Sequence, residues 1–349
     1  MGGWGSISEN INFSAKLKAR GIFFLGHFHI YQLKKRPIFI FANRRGGSTL
    51  LAQMIASQPG VDLSGEPLNL WRYSPYFERL PHPPQGCFIH LNGEDEQKVH
   101  DYFEALLSGR LRGVSIWNPF SPLYSFRVER LVVKLLGANT LIDWFDHQFN
   151  LEIIYLLRHP IPVALSALNL KWGNNARAYL ENEYYREVVL GKERAKSAEE
   201  VFQQGSPLQK YVLEWCLENL YPLQVYKRRS WLVLTYEEIV SRPYLMSKLI
   251  CSRLKLPNPE KMTKTVFKPS RTTFQPGSKQ TIMNKGPGAL VARWLQQVNS
   301  DDLLGIQKIL DIFEIRVYQA ENLYPAGDVC HFGSLESEEK GESILSDVL

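Results

Sequence analysis

The sequence predicts an α/β fold: a P-loop-like, doubly wound and mainly parallel sheet flanked by helices in three α/β/α layers. Short apolar runs of strand length alternate along the chain with stretches of helical periodicity, and this alternation is typical of a parallel sheet. The chain has 349 residues, of which 44% are hydrophobic and 22% are charged. These values suit one large soluble domain with a sizeable core.

The apolar runs locate the strands and the helical spacing locates the helices. Buried strands are predicted within 36–43, 130–140 and 151–160, and another strand starts at Trp231. Helices are predicted within 48–58, 94–107, 162–170, 206–228, 241–256 and 301–313. Turns or loops are predicted for 63–70, 72–87 and 267–288, and an insertion with helical pieces for 171–205. Ser206 is the expected N-cap of its helix, with Pro207 in the first turn.

Composition divides the chain into a single α/β domain at 36–330, a basic and apolar extension at 1–35, and a tail at 331–349. The tail is acidic and predicted to be disordered. The net charge is +6, and the body is more basic than this total because the tail is acidic. A basic body favours anionic partners, such as a nucleotide, a nucleic acid, a sulfated glycan or a membrane surface.

The extension contains an apolar stretch, 21–33, that is too short to span a membrane and is interrupted by His27 and His29. Basic residues flank it on both sides, so it could lie on a membrane surface as a peripheral contact. It could equally pack on the domain, which we favour. The four cysteines form no CxxC pair, and unpaired thiols are typical of a reducing compartment, so we expect a cytoplasmic protein and no metal site.

The stretch FIFANRRGGSTLLAQM, residues 39–54, passes from an apolar run through two arginines and two glycines into helical spacing. A strand, a glycine turn and a helix form the geometry of a phosphate-binding loop, because amides at the helix start point at the anion. No lysine precedes Ser48, so this is not the G-x-x-x-x-G-K-[ST] loop of nucleoside triphosphatases. Arg45 could supply the fixed cation instead. Taken alone, the stretch could also be a tight turn with surface arginines.

A second stretch, YLLRHPIPVALS, places Arg158 at the carboxyl end of another apolar strand and Ser166 two turns into the next helix. In a parallel sheet the carboxyl ends of the strands face the ligand crevice, so both residues could grip a second phosphate. Taken alone, they could be a charged residue at a strand end and a helix serine that bonds a neighbouring carbonyl.

Together the two stretches resemble the sulfotransferases that use 3′-phosphoadenosine-5′-phosphosulfate (PAPS). In that family an R/K-[SG]-G-[ST]-T core cradles the 5′-phosphosulfate, and an R-[DH]-P-x(5)-S stretch binds the 3′-phosphate. Here the first reads RGGST at 45–49 and the second runs from Arg158 to Ser166. The resemblance covers about residues 36–324 and implies that PAPS is the co-substrate. The implied nucleotide-binding residues are Arg44, Arg45, Gly46, Gly47, Ser48, Thr49, Leu50, Arg158, Ser166, Tyr236, Ser270 and Lys285.

The resemblance also implies catalytic roles. Cytosolic members carry a histidine just after a lysine-bearing strand; here Lys134 matches the lysine, but leucines follow it. The tyrosylprotein branch and related bacterial and Golgi-type enzymes carry a glutamate in a GE turn after the first helix, which matches Glu66. Glu66 is therefore the implied general base, with Arg45 and Lys134 as the cations that stabilise the leaving group. A capping or salt-bridged carboxylate is the alternative for Glu66.

The expected function is metal-independent, in-line transfer of a sulfuryl group from PAPS to an acceptor hydroxyl. The acceptor could be a sugar, a lipid headgroup, a phenol or a tyrosine, and the sequence does not distinguish among them or predict the oligomeric state. The alternatives are a non-catalytic module that binds a nucleotide or sulfated glycan and a P-loop nucleotide kinase, which the missing lysine disfavours. Nucleic-acid binding is not expected, because the basic residues are dispersed and no recognition motif is present.

Overall fold

A computed structural model describes residues 30–70, 74, 76–111, 126–270, 277–327 and 329–330. Residues 21–29 of the apolar stretch in the N-terminal extension lie outside these residues, as does the whole acidic tail at 331–349. Within the described part of the chain, no helix combines the length and apolarity that a membrane span requires.

The centre of the molecule is a five-stranded sheet in which every neighbouring pair of strands is parallel. The strands are β1 (Ile38–Ala42), β2 (Val61–Gly65), β3 (Arg130–Leu136), β4 (Glu152–Leu157) and β5 (Leu232–Thr235). Their order across the sheet is β2-β3-β1-β4-β5, so the strand that precedes the arginine-glycine loop is central. The predicted parallel α/β sheet is confirmed.

Helices cover both faces of the sheet. They are α1 (Ser48–Ala56), α2 (Gly93–Leu107), α3 (Ile142–Gln148), α4 (Pro160–Asn169), α5 (Ala176–Glu181), α6 (Lys192–Gln204), α7 (Pro207–Val225), α8 (Tyr236–Ser241), α9 (Pro243–Leu254), α10 (Pro259–Val266), α11 (Ser278–Lys285) and α12 (Ser300–Ile312). Alternate side chains of β1 serve the two faces: Phe39 and Phe41 pack with α2, α4 and α7, whereas Ile38 and Ile40 pack with α1, α9 and α10. These two apolar cores make the three layers.

The local signals in the sequence account for most of these elements. Ser206 caps α7 in a full capping box with Gln209, and Pro207 occupies the first turn. The insertion at 171–205 contains α5, α6 and a π-helix at Tyr185–Leu190. Helices at the other predicted positions are also present, with small shifts at their ends.

Two predicted loop segments contain regular structure. The segment at 63–70 begins inside β2, where the apolar residues alternate with Asp62 and Ser64, so the strand lacks the continuous apolar run that reveals the others. The segment at 267–288 contains α11, which buries little besides Ser278 and Ile282 and therefore carries a weak helical pattern. A 3₁₀ helix follows at Pro287–Gln297.

Residues before the predicted domain boundary at 36 already take part in the fold. Ile30 and Tyr31 pair in parallel with Arg127 and Val128 as a separate two-stranded sheet. The Tyr31 hydroxyl donates a hydrogen bond of 3.1 Å to the carbonyl of Leu107 at the end of α2. This pairing joins the start of the described chain to the main domain.

Candidate active site

The carboxyl ends of all five strands of the sheet contribute to one cavity of about 700 Å³. Its lining includes Arg44 and Arg45 after β1, Glu66 after β2, Lys134 in β3, Arg158 after β4 and Tyr236 after β5. Helices α1, α4 and α11 and the 3₁₀ helix at Pro287–Gln297 complete the walls. Open parallel sheets bind their ligands at this edge, in the crevice outside the carboxyl ends of the strands.

The arginine-glycine loop, residues 44–47, has a backbone conformation that requires its two glycines. Gly47 is the N-cap of α1 with φ of 94°, and Arg45 also has a positive φ, of 64°. A Cβ on Gly47 would lie 2.4 Å from Cδ2 of Tyr236, and a Cβ on Gly46 would lie 2.9 Å from the carbonyl oxygen of Asn43. Both glycines are therefore needed for the close packing that turns the start of α1 toward the cavity.

The two motifs meet in space through Arg45 and Ser166. Arg45 Nε donates a hydrogen bond of 2.9 Å to the Ser166 hydroxyl on α4, which is buried. Arg158 Nη1 donates a hydrogen bond of 3.0 Å to the carbonyl oxygen of Arg45. Burial, and then repulsion from the Arg158 charge, lower the pKa of Arg45, which nevertheless remains a cation. Two sequence stretches more than a hundred residues apart therefore form one cationic site.

Contacts with Tyr236 and Trp215 hold Arg158 in place, while one of its guanidinium nitrogens has no hydrogen-bond partner among the described residues. Its guanidinium lies 4.2 Å from the centre of the Tyr236 ring, and its carbonyl accepts a hydrogen bond of 3.1 Å from Trp215. Its Nε is buried and has no hydrogen-bond partner among the described residues. A buried guanidinium donor without a partner is costly.

The neighbouring His159 has a structural role. It is fully buried, its Nε2 lies 3.1 Å from the carbonyl oxygen of Gln319, and its ring stacks on Trp294 with centroids 4.8 Å apart. Burial lowers the pKa of His159 to about 4, so the imidazole stays neutral. The histidine therefore anchors the start of α4 rather than contacting a ligand.

Lys134, Glu66 and Thr49 form a second polar group in the cavity. Lys134 Nζ lies 2.6 Å from Glu66 Oε1 and 3.2 Å from the Thr49 hydroxyl of α1. The parallel register pairs Lys134 with both Ile40 and Gly65, which brings the lysine between the loop strand and the GE turn. The lysine side chain is 8% exposed and that of Glu66 is 28% exposed.

The charge state of Glu66 follows from these contacts. Burial raises the pKa of the carboxyl, but the charge of Lys134 and its hydrogen bond, with a further hydrogen bond from Asn69, lower it more, so that the pKa lies below its ordinary value. Glu66 is therefore an ionised carboxylate at neutral pH, the form that can accept a proton. Its backbone has a positive φ of 58°, an unusual conformation for a residue with a side chain.

The other predicted site residues occupy different positions. Ser48, Thr49, Leu50, Tyr236 and Ser270 line the cavity. Lys285 is exposed at the end of α11 and is not among the described residues that line the cavity, so its role as a nucleotide contact stays a prediction. Most of the predicted loop at 72–87 is described, but residues 72, 73 and 75 lie outside the described residues.

Several cavity residues have no motif signal in the sequence. Trp172 lies with its ring centre 5.7 Å from the Arg45 guanidinium, and Lys268 and Arg293 add positive charge to the lining. Helix α4 ends at Asn169, and the chain that follows it places Trp172 in the lining of the cavity. No spacing rule connects it with Arg45, and only the tertiary fold brings the two together.

No protein-family model and no curated protein sequence matches the chain. Two solved sulfotransferase structures are similar to it. One is the sulfotransferase domain from the Synechococcus PCC 7002 olefin synthase, with 18% identity, a TM-score of 0.42, and coverage of 81% of this chain and 96% of that chain. The other is mouse sulfotransferase SULT7A1 complexed with PAP, with 15% identity, a TM-score of 0.38, and coverage of 85% and 89%.

The cavity residues suit an anionic ligand with two separated charged groups. Arg158 and the Ser166 hydroxyl contribute one set of donors to the cavity, Lys134 and the Thr49 hydroxyl contribute another, and Arg45 is hydrogen-bonded to Ser166. Among the described residues, no cluster of three or more histidine, cysteine, aspartate or glutamate side chains has the arrangement of a metal site.

Proposed function

We propose that this protein transfers a sulfuryl group from PAPS to the hydroxyl of an acceptor. The observation that carries the proposal is the meeting of two anion sites in one cavity, through the 2.9 Å hydrogen bond between Arg45 and Ser166 and the 3.0 Å hydrogen bond from Arg158 to the Arg45 backbone. A nucleotide with phosphates on both the 3′ and the 5′ carbon needs two such sites at a fixed separation. A nucleoside triphosphate needs only one extended site.

Each end of the nucleotide would have its own partners. The amides at the start of α1, with Ser48 and Thr49, would hold the 5′-phosphosulfate, because helix N-termini bind anions without a metal. The partnerless Nε of Arg158 and the Ser166 hydroxyl would hold the 3′-phosphate. Tyr236 holds Arg158 in place, since the guanidinium carbon lies 4.2 Å from the centre of the Tyr236 ring.

The transfer is an in-line displacement at sulfur. The acceptor oxygen forms a bond to sulfur while the bond from sulfur to the bridging 5′-phosphate oxygen breaks, and the leaving group is adenosine 3′,5′-bisphosphate. Lys134 and Arg45 would stabilise the negative charge that grows on the bridging oxygen. A sulfuryl group carries less negative charge than a phosphoryl group, so fixed side-chain cations can serve where a phosphoryl transferase uses a metal ion.

Glu66 would take the proton of the acceptor hydroxyl. It is ionised, it opens onto the cavity, and Lys134 fixes one of its oxygens at 2.6 Å, which leaves the carboxylate oriented. A base of this kind contributes roughly 10²–10⁴-fold to the rate. A lowered pKa makes Glu66 a weak base, so charge stabilisation by the two cations would carry the larger share of catalysis.

The direct experiment is transfer of labelled sulfate from PAPS to a panel of sugars, lipid headgroups, phenols and tyrosine peptides. Wild type is compared with Glu66→Gln and Arg45→Ala, and binding of adenosine 3′,5′-bisphosphate is measured for each protein by calorimetry. The proposal predicts binding and transfer by wild type, binding without transfer by Glu66→Gln, and loss of both in Arg45→Ala. Nucleotide binding without transfer to any acceptor would indicate a binding module, and magnesium-dependent turnover of ATP would indicate a kinase.

A further inference from the structure

The residue just before the loop arginines is tied to the interior of α7. Asn43 is buried; its Nδ2 donates a hydrogen bond to Glu218 Oε2, and its Oδ1 accepts one of 2.7 Å from Asn219 Nδ2. The Tyr155 hydroxyl on β4 donates in turn to Asn219 Oδ1 at 2.7 Å. The chain between β1 and α1 is therefore anchored from beneath by a hydrogen-bonded network of buried side chains.

Glu218 is an unusual member of this network. It is only 7% exposed, so its charged form is poorly solvated. Glu214 lies four residues earlier on α7, so the two carboxyls share one helix face and repel each other when both are ionised. Burial raises the pKa of Glu218 to about 7; burial and the neighbouring Glu218 raise the pKa of Glu214 to about 8.

Arg44 borders both this carboxyl pair and the cavity. It lines the cavity, and its Nη2 would lie 3.9 Å from a Cβ built on Gly86, next to Cys87. Its charge lowers the pKa of Glu214 and of Glu218, and to a smaller extent that of Glu66. The same guanidinium therefore interacts electrostatically with both the proposed base and the carboxyl pair.

The other ionisable groups around the pair do not change charge near neutral pH. Those that interact electrostatically with Glu214 or Glu218 are Arg44, Cys87, Tyr155, Tyr179, Tyr185 and Tyr211. Burial raises the pKa of the thiol and of each of these tyrosines, so all of them stay protonated, and an arginine stays charged. The carboxyl pair is then the part of this cluster that titrates.

We propose that Glu218 and Glu214 act on the anion-binding loop as a positioning pair. Glu218 fixes Asn43 through its hydrogen bond, and the proton occupancy of the pair sets how strongly Arg44 attracts an anion in the cavity. With a proton on the pair, Arg44 retains its attraction for an anion in the cavity. With both carboxylates ionised, they offset the Arg44 charge, and the affinity of the cavity for an anion falls. The inference rests on the proposed nucleotide site and concerns its regulation by residues outside it.

The test measures the affinity for adenosine 3′,5′-bisphosphate from pH 6 to pH 9 in wild type, Glu214→Gln and Glu218→Gln. Glu200→Gln, which removes an exposed acid of α6 away from the cavity, is the matched control. We expect the wild-type affinity, relative to that of Glu218→Gln, to fall on the order of tenfold as the pH rises, because the ionised carboxylates then oppose the attraction of Arg44 for the anion. Taking the ratio cancels the ionisation of the ligand's own phosphate.

A further variant separates positioning from charge. Glutamine keeps an oxygen that can accept from Asn43, so Glu218→Gln should match wild type at pH 6, whereas Glu218→Ala should bind more weakly at every pH. If the alanine variant fails to fold, Glu214→Gln and Glu218→Gln alone decide the matter. Binding with the same pH profile in wild type and both glutamine variants would overturn this inference and leave the proposed function intact. Absence of binding at every pH would overturn the proposed function and this inference with it.

Discussion

Glu66 and Lys134 form an ion pair of 2.6 Å between the turn after one strand and the interior of the next. The pairing is a consequence of register, because Gly65 lies opposite Lys134 in the parallel ladder and Glu66 is the following residue. The Glu66 amide also donates a hydrogen bond of 2.9 Å to the Lys134 carbonyl. A backbone hydrogen bond and a side-chain ion pair thus both join Glu66 to Lys134. In the proposed chemistry, Glu66 takes the proton and Lys134 stabilises the leaving group.

Replacing Glu66 by glutamine should remove the proton acceptor while leaving the nucleotide site intact. We expect kcat for sulfuryl transfer to fall roughly 10²–10⁴-fold, with the affinity for adenosine 3′,5′-bisphosphate within about threefold of wild type. Steady-state kinetics and calorimetry on the same preparation measure the two quantities. Full activity in Glu66→Gln would remove the carboxylate from the mechanism.

The ion pair should also set the acid limb of the pH profile. Lys134 lowers the pKa of Glu66, so wild-type activity should persist down to the pH at which this depressed carboxyl becomes protonated. In Lys134→Met the pKa of Glu66 rises because burial then acts without the opposing charge, and the acid limb of kcat against pH moves upward. Lys134→Arg, which keeps the charge, is the control, and its Glu66 pKa should stay lowered, so that the acid limb does not move upward. An acid limb that stays in place in Lys134→Met would contradict this coupling.

Gly47 should be intolerant of any side chain. A Cβ there would lie 2.4 Å from the Tyr236 ring, and the φ of 94° disfavours other residues. Gly47→Ala should lose nucleotide binding and about 2 kcal/mol of unfolding free energy. Gly277→Ala is the matched control, since Gly277 is also a left-handed N-cap, with φ of 73°, and a Cβ there would meet no described atom within 4 Å; it should cost about 1 kcal/mol. Equal losses in chemical denaturation would show that the Tyr236 contact has no energetic weight.

The buried Glu218 predicts a specific pH dependence of stability. Its folded-state pKa, raised to about 7, lies above the unfolded value, so the native state holds a proton that the unfolded state releases. The contribution of Glu218 to stability should therefore fall as the pH rises from about 4.5 to about 7 and level off above that range, while Glu214, with a pKa of about 8, extends the fall to higher pH. Glu218→Gln should reduce this fall by on the order of 2–3 kcal/mol, measured by urea unfolding at pH 5 and pH 8. An unchanged slope would mean that Glu218 does not titrate in this range.

Part of the fold and of the site could be predicted because local patterns specify them. The central strand is a continuous apolar run, and the glycines 46 and 47 stand where the chain must turn tightly, so both the strand and the loop can be found from their neighbours in sequence. Strand β2 could not be found in this way, because Asp62 and Ser64 interrupt its apolar residues. Its identity as a strand depends on pairing with β3.

Contacts between distant segments set the limit of sequence reasoning at the site. The motifs indicated Arg45 and Ser166 separately, but not that they share a hydrogen bond. Trp172 beside Arg45 has no motif, since only the tertiary fold brings it to the loop. Glu218 lies in WCLENL, residues 215–220, a weaker feature of the family resemblance, but its contact with Asn43 depends on the packing of α7. Residues that act through tertiary packing leave no periodicity or spacing that a single sequence can reveal.

The central claim is that one cavity holds the two phosphates of a single nucleotide, and a comparison of two ligands tests it most directly. Adenosine 3′,5′-bisphosphate and adenosine 5′-phosphate differ only in the 3′-phosphate, and calorimetry gives the affinity of each for wild type and Arg158→Ala. Wild type should prefer the bisphosphate, and Arg158→Ala should lose on the order of 10- to 100-fold of that affinity while its affinity for the monophosphate stays within about threefold. Equal affinity of wild type for the two ligands, or an equal loss of both in Arg158→Ala, would contradict the account.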